Sequence, residues 1–542
     1  MKNTFLILFF LVLEETQCFK GVFWHVCDVH LNLSYKSFGR KQFGDYKSDS
    51  PFSLVKSAFQ QMKKIYPNPD FIILNGDNVR HRTVSQSDFN KSLTDVSDEL
   101  LQNFPSSIIL PSLGNHDVNP ANFFDPKSQW CRILLEKWLK FFSNNSLEIQ
   151  TFTKGCYYSR RITVNNITAK VIILNTMVWY SFNSHTFTTQ NSDDPLNQFA
   201  WLNKELIESR NSATKVFLIG HIPPGASEYS PTVFRHLRPG FNMKFLKIMQ
   251  DFADIIDAGF FAHQHTDAFK IVYDHNDKPV IPLFISPSIS PFYLSGLGSV
   301  NPSVRLYHWR TDPADRKYEQ YHAKLNDVQT KTLSWSLEYS SNSLIPGLSA
   351  FHLNELVSDF TKEDSKHFDK FFTYHLSGRP HEQNECSESI SCRCNIICGI
   401  QNIDYTKLDS CLKNCPHKPV SQWVMIVSVI IIFTIILIGV VIGANKVYCR
   451  GRRTASLTRD IYLAPYNGKN CEDIMSEHID NIAENTFCDV PEYRGHIRNN
   501  SRTILTLNDG NEIVEKSQPS FSKFAVQSKN NKSQEKYDYT RM

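Results

Sequence analysis

Residues 106–117 read SSIILPSLGNHD. A short apolar run closed by Gly114, Asn115, His116 and Asp117 has the length and composition of a strand covered on both faces. Five more stretches share this design: GVFWHVCDVH (21–30), DFIILNGD (70–77), AKVIILNTMVWY (169–180), TKVFLIGHIPPG (214–225) and DAGFFAHQH (257–265). Between them lie stretches with apolar residues at helical spacing: SLVKSAFQQMKKIY (53–66), SDFNKSLTDVSDELLQNF (87–104), SQWCRILLEKWLKFF (128–142) and DPLNQFAWLNKELIES (194–209). The alternation predicts an α/β fold. Open α/β sheets bind their ligands past the C-terminal ends of the strands, and the polar motifs fall there.

Those motifs form an ordered set. The chain offers Asp28 and His30, Asp77, Asn115, His221, then His263 and His265, each closing a predicted strand. Taken singly, each reads more simply as a cap, a turn or a solvated histidine. Seven nitrogen and oxygen donors together are what zinc, iron or manganese accept. Two such ions about 3.5–4 Å apart need one shared ligand, and a carboxylate bridges best.

The order D-x-H, G-D, G-N-H-D, G-H, H-x-H resembles the calcineurin-like metallophosphoesterases. The stretches FWHVCDVHL, GDYKSDSP, GDNVRH, GHIPPG, FFAHQHTDAF, SPSISPFY and PSVRLYHW are similar, more narrowly, to the acid sphingomyelinase-like phosphodiesterases, from about Val22 to Leu412. The resemblance implies a metallophosphoesterase β-sandwich flanked by helices, with a small helical, disulfide-rich C-terminal subdomain. It also implies a two-zinc site. Asp28, His30, Asp77 and His265 would hold one ion; Asp77, Asn115, His221 and His263 would hold the other, with Asp77 bridging. His116 and His81 match the family's catalytic histidines. A hydroxide shared by the metals would attack phosphorus, the metals would take the charge on the non-bridging oxygens, and one of these histidines would protonate the leaving alkoxide. Two departures stand out. Ala262 replaces the usual glycine before His263, and a cysteine pair around GDYxCDSP is absent, with Ser48 in place of one partner. The second departure implies a missing staple rather than a broken site. Asp117 is expected to orient His116 or a metal ligand. Trp179, Tyr180, Phe292 and Tyr293 are candidates to line a cleft, with core packing the plainer reading.

The 542 residues carry a net charge of only +4. Their basic residues are scattered, which argues against a nucleic-acid polymer as partner. Residues 1–18 read as a signal peptide: Lys2 precedes nine apolar residues, Phe5 to Leu13. Residues 19–334 are expected to form the catalytic domain and 335–420 a Cys-rich subdomain, helical and polar from about Trp335. The 21 uncharged residues from Trp423 to Gly443, followed by Lys446, Arg450, Arg452 and Arg453, predict one transmembrane helix with a cytosolic tail at 445–542. That tail is polar, without apolar periodicity, and reads as disordered. Its terminal YTRM is a weak carboxylate-capture motif. The expected placement is single-pass type I, at the cell surface or an endolysosomal membrane, with the catalytic domain outside or lumenal.

Cysteine usage fits that exterior. Cys27, inside an apolar strand, reads as a free core thiol. Cys131 and Cys156 form the natural local pair. Cys386, Cys392, Cys394, Cys398, Cys411 and Cys415 could pair in fifteen ways, a zinc knuckle being the competing reading. N-glycans are expected at Asn90, Asn144 and Asn166, and not at Asn32, which lies two residues past a motif histidine.

The substrate expected is a small-molecule phosphoester: a nucleotide or a phospholipid head group. Nucleotide phosphodiesters or phosphoanhydrides are favoured over sphingomyelin, whose cleavage would yield ceramide and phosphocholine. Asp28 follows the presumed signal peptide too closely to leave room for a lipid-presenting saposin domain. Exposing lipid chains to water costs about 0.8 kcal/mol per CH₂. A catalytically inactive receptor on the same fold is the alternative of another class, disfavoured because all seven ligand positions are filled.

Overall fold

The computed structural model describes residues 20–37, 41–143, 146–185, 193–293, 298–325, 332–380 and 390–416, with Thr434 and Gly439 as isolated positions. Two six-stranded sheets make the core. Strands are numbered in chain order, β1 (Gly21–Val26), β2 (Phe71–Asn75), β3 (Ile108–Ser112), β4 (Tyr158–Val164), β5 (Ile167–Leu174), β6 (Val216–Gly220), β7 (Ile256–Phe261), β8 (Ala268–Tyr273), β9 (Pro279–Ile285), β10 (Ser303–Trp309), β11 (Lys317–Ala323) and β12 (Trp335–Ser340). The first sheet runs β12-β11-β10-β1-β2-β3 and the second β4-β5-β6-β7-β9-β8.

All six strands expected from the sequence form, in two parallel groups. β1, β2 and β3 are parallel neighbours in one sheet; β5, β6 and β7 are parallel neighbours in the other. Their continuous Val/Ile/Leu/Phe runs are buried on both faces. Helices cover the outer faces. α1 (Phe52–Ile65) buries Leu54, Val55, Ala58, Phe59 and Met62 along one stripe. α2 (Gln86–Asn103) starts at Ser85, whose hydroxyl accepts the Asp88 N–H. Between the sheets Phe23 of β1 meets Phe260 of β7 edge-to-face at 5.4 Å, and Phe217 of β6 meets Trp309 of β10 at 5.3 Å.

Register decides what this core presents. Val26 pairs with Leu74, and Leu74 with Pro111, so β1, β2 and β3 end level. In the second sheet Ile219 pairs with Phe260, and β6 and β7 end level too. The donors of both sheets therefore emerge at one edge of the sandwich. Asn75 Nδ2 donates across the gap to Phe260 O at 3.3 Å, tying the two edges together.

The stretch from Trp335, read as helical, begins with a strand. Trp335 and Tyr339 are buried while Ser336 and Leu337 are exposed, and β12 extends the first sheet beside β11. Helices follow at Ala350–Phe360, Lys366–His375, Ile390–Gln401 and Tyr405–Lys413. Cys131–Cys156 is bonded as expected, and Cys394–Cys415 and Cys398–Cys411 join the last two helices. Cys392 is also disulfide-bonded. These bonds exclude the zinc knuckle. Cys27 is a free, buried thiol.

The membrane placement requires correction. Among the described residues no helix is long and apolar enough to cross a membrane. Gln86–Asn103 has the length, at 18 residues, but it carries Asp88, Lys91, Asp95, Asp98 and Glu99 on an amphipathic surface. The single-pass type I assignment is overturned accordingly. The run 423–443, apart from Thr434 and Gly439, lies outside the described residues, as do 1–18, the tail 445–542 and Asn144.

Candidate metal centre

All seven candidate ligands meet at the level strand ends. Asp28 and His30 follow β1, Asp77 follows β2, Asn115 follows β3, His221 follows β6, and His263 and His265 follow β7. Five of them adopt left-handed backbone: Asp28 (φ 49°), His30 (43°), Asp77 (55°), His263 (74°) and His265 (62°). Such conformations cost free energy in non-glycine residues and cluster where function requires them. The neighbouring glycine is equally constrained. A Cβ on Gly114 would lie 2.1 Å from Asp77 Oδ1, so only glycine lets the β3 loop approach the β2 loop.

The donors form two groups about Asp77. On one side His30 Nε2 is 3.1 Å from His265 Nε2, and His265 Nε2 is 3.5 Å from Asp28 Oδ1. On the other, Asn115 Oδ1 is 3.1 Å from His221 Nε2 and 2.8 Å from His263 Nδ1. Asp77 Oδ2 lies between them, 3.4 Å from His30 Nε2 and 3.3 Å from His221 Nε2.

Tautomers follow from the hydrogen bonds. His30 Nδ1 donates to Val79 O at 2.9 Å and His221 Nδ1 donates to Asn75 O at 2.7 Å. Their Nε2 atoms therefore face inward, where a bound cation would take their lone pairs. Asn115 Nδ2 donates to Asn122 Oδ1 at 3.0 Å, which turns Asn115 Oδ1 toward the two histidines. Among the described residues Asp28 Oδ1 is buried with no hydrogen-bond partner. Burial, then the charge of Asp77, pushes the Asp28 carboxyl up to about 7. Burial disfavours charge on His221, but Asp77 and Asp28 lift it to about 9. Inward lone pairs, an orphaned carboxylate oxygen and a field that favours positive charge all fit divalent cations.

The remaining expected residues fall into place around this centre. Asp117 accepts the backbone N–H groups of Asp77 (2.9 Å), Asn78 (2.8 Å) and Gly114 (3.0 Å), so it buttresses the bridging position. Ala262 is buried without distortion, its N–H donating to His221 O at 2.8 Å. His116 N donates to Asp77 Oδ1 at 2.7 Å. His81 stacks on His30 at 3.8 Å and on Phe292 at 4.5 Å. Tyr180, Phe292 and Tyr293 line cavities beside the site, whereas Trp179 is fully buried and stacks on Phe199 at 4.3 Å.

Sequence reasoning assigned no role to Asp49, in GDYKSDSP. Its Oδ1 accepts His81 Nδ1 at 2.7 Å and its Oδ2 accepts the His81 N–H at 2.9 Å. Burial works against charge on His81, yet Asp49 raises that histidine above its ordinary value. Among the described residues His116 has no such partner, and burial lowers it to about 4. Tyr46, in the same stretch, is tied to two distant loops. Its hydroxyl donates to Asn301 Oδ1 at 2.7 Å and accepts the Leu325 N–H at 2.9 Å.

Residues 21–267 match the family described as calcineurin-like phosphoesterase, and residues 278–418 the acid sphingomyelin phosphodiesterase C-terminal region. The human protein named acid sphingomyelinase-like phosphodiesterase 3b is 29% identical over 430 residues, covering 74% of this chain and 92% of its own. Human cyclic GMP-AMP phosphodiesterase SMPDL3A is 31% identical over 420 residues, covering 72% and 90%. Sphingomyelinase phosphodiesterase C of Dictyostelium discoideum is 30% identical over 397 residues, covering 66% and 87%. With its paired sheets, its converging carboxylates and imidazoles and these relatives, the chain belongs to the acid sphingomyelinase-like phosphodiesterases of the calcineurin-like phosphoesterase family and is a metal-dependent phosphodiester hydrolase.

Proposed function

We propose that the protein hydrolyses nucleotide-type phosphodiesters or phosphoanhydrides at a two-zinc centre, in an oxidising compartment outside the cytosol. The observation that carries this reading is Asp77 Oδ2 poised between two groups of inward-facing donors. Asp28, His30 and His265 would hold one ion with it; Asn115, His221 and His263 would hold the other. Zinc suits a set dominated by imidazoles. The disulfides support the compartment. Asn166, exposed in the turn after β4, and Asn90 on α2 are the glycan acceptors of this reading.

When bound, two divalent ions supply a deprotonated water near neutral pH and take up charge developing on the phosphoryl oxygens. The protein's own groups do the rest. Asp117 and the left-handed backbone keep the donors fixed, so little reorganisation accompanies reaction. His81, with Nδ1–H held on Asp49, keeps a proton at Nε2 for the departing oxygen. His116, neutral because it is buried, faces the same cavities and offers hydrogen bonding to the phosphate without carrying the proton in reserve.

Chelation should abolish hydrolysis and added zinc should restore it, with metal analysis finding close to two ions per active chain. Full activity with less than about one ion per chain would exclude the two-metal centre. Sphingomyelin stays the second substrate, since a 30% identical relative carries the name sphingomyelinase. A higher kcat/KM for bilayer sphingomyelin than for ATP or CDP-choline would reverse the order.

The Asp49 pairing also fixes a pH dependence. His81 is raised, so its proton is present at low pH and lost as pH rises through that raised value. Asp49→Asn should therefore move the alkaline limb of the kcat/KM profile to lower pH. An unmoved limb would assign that limb to another group.

A further inference from the structure

Asn75 closes β2 two residues before Asp77, and its hydrogen bonds reach the four other strands that deliver donors. Its Nδ2 lies 3.0 Å from His25 Nε2 in β1 and 3.3 Å from Phe260 O in β7. Its Oδ1 accepts the hydroxyl of Ser112, the last residue of β3, at 2.6 Å. Its backbone carbonyl accepts His221 Nδ1, just past β6, at 2.7 Å. Asn75, His25, Ser112 and His221 are all fully buried. One residue thus touches both sheets at the level of the site, from beneath the cluster rather than within it.

The chemistry of its partners fixes the amide. Phe260 O can only accept, so the Asn75 nitrogen must face it. His25 Nε2 then accepts the second N–H, which places the His25 proton on Nδ1 and keeps that ring neutral. Among the described residues His25 Nδ1 is buried without a hydrogen-bond partner. An unpaired buried N–H costs free energy, so stability is given up where Nε2 is kept for Asn75. The apolar contacts between the sheets, such as Phe23 against Phe260, are non-directional. They set the spacing of the sheets and leave open how far one strand end stands beyond another. Hydrogen bonds are directional and close that freedom. The orientation of a histidine ligand is set by the bond at its other ring nitrogen. For His221 that bond goes to the carbonyl of Asn75, and the Asn75 amide holds this carbonyl in place.

We propose that Asn75 is a positioning residue of the metal centre: its amide holds the end of β2 in register with β1, β3 and β7 and so aims His221 at the donor cluster. This rests on the two-metal reading above and adds the residue that aligns the two sheets for it. The test reads the zinc affinity of the folded full chain by competition with a chromogenic chelator, a quantity that the loss of a merely structural contact leaves in place. Asn75→Ala should raise the zinc dissociation constant by about tenfold or more. Ser112→Ala, which frees only Asn75 Oδ1, should raise it by about threefold or more. Val96→Ala, a buried truncation on α2 away from the site, should lower the melting temperature and keep zinc affinity within about twofold of wild type. Zinc affinities of Asn75→Ala and Ser112→Ala both within about threefold of wild type overturn the inference while the two-metal reading stands. Should Asn75→Ala not fold, Ser112→Ala decides by the same threshold. An equal loss of zinc affinity in Val96→Ala also overturns the inference, since general loosening would then suffice. Wild-type protein that binds fewer than about one zinc per chain overturns both together.

Discussion

Asp77→Asn should reduce kcat/KM by about 10³-fold and lower bound metal from two ions toward one. The substitution keeps the shape of the side chain and removes the charge. Asp77 Oδ2 is the atom both donor groups share, at 3.4 Å from His30 Nε2 and 3.3 Å from His221 Nε2. A neutral amide there cannot bridge two cations. Several kcal/mol of transition-state charge stabilisation depend on that pair of ions, and about 4 kcal/mol corresponds to the expected factor. Misfolding is separable from this effect. Without metal, and against its burial, the Asp77 carboxylate is stabilised by the charge of His221, which the variant forfeits, while the asparagine keeps the Oδ1 that accepts the His116 N–H. The metal-free variant should therefore melt cooperatively at a somewhat lower temperature than the metal-free wild type, with an unchanged far-ultraviolet circular dichroism spectrum. Unchanged metal content together with activity within tenfold of wild type would show that Asp77 does not bridge.

His116→Ala should lower kcat by about 10²–10³-fold and leave KM within a few fold, because the hydrogen bond it offers is made in the transition state. The structure divides two histidines that the sequence left equivalent. His81 carries the Asp49 partner and is raised; His116 is buried without a carboxylate partner among the described residues and is lowered to about 4. A lowered histidine is neutral throughout pH 5–8, so the loss in His116→Ala should be constant across that range. A loss that shrinks as pH rises through 7 would return the proton-donor role to His116, and a loss confined to KM would reduce it to a binding group.

The strand ends were legible because covered parallel strands must be continuous apolar runs, and the polar residue that breaks each run is conspicuous. Asp28, Asp77, Asn115, His221 and His263 could all be found that way, as could the local Cys131–Cys156 bond. Strands β8 and β10 to β12 were not, because their sequences mix charged and aromatic residues and take strand geometry by pairing with β9, β10 or β11. Helical spacing in sequence says nothing of an edge strand such as Trp335–Ser340, whose place comes from the neighbour it completes.

Sequence by itself determined the ligand types, their order and the alternation that carries them, since these depend on local composition and period. Tertiary structure alone decided what depends on distance across the two sheets. Level strand ends place Asp77 between His30 and His221; Asp49 comes from a loop 32 residues away to hold the His81 proton; and Arg379 is brought from the C-terminal region to the cavity beside Arg80. Charge and hydrogen bonding act through space over a few ångströms, and spacing along the chain does not fix those distances until the sheets have packed.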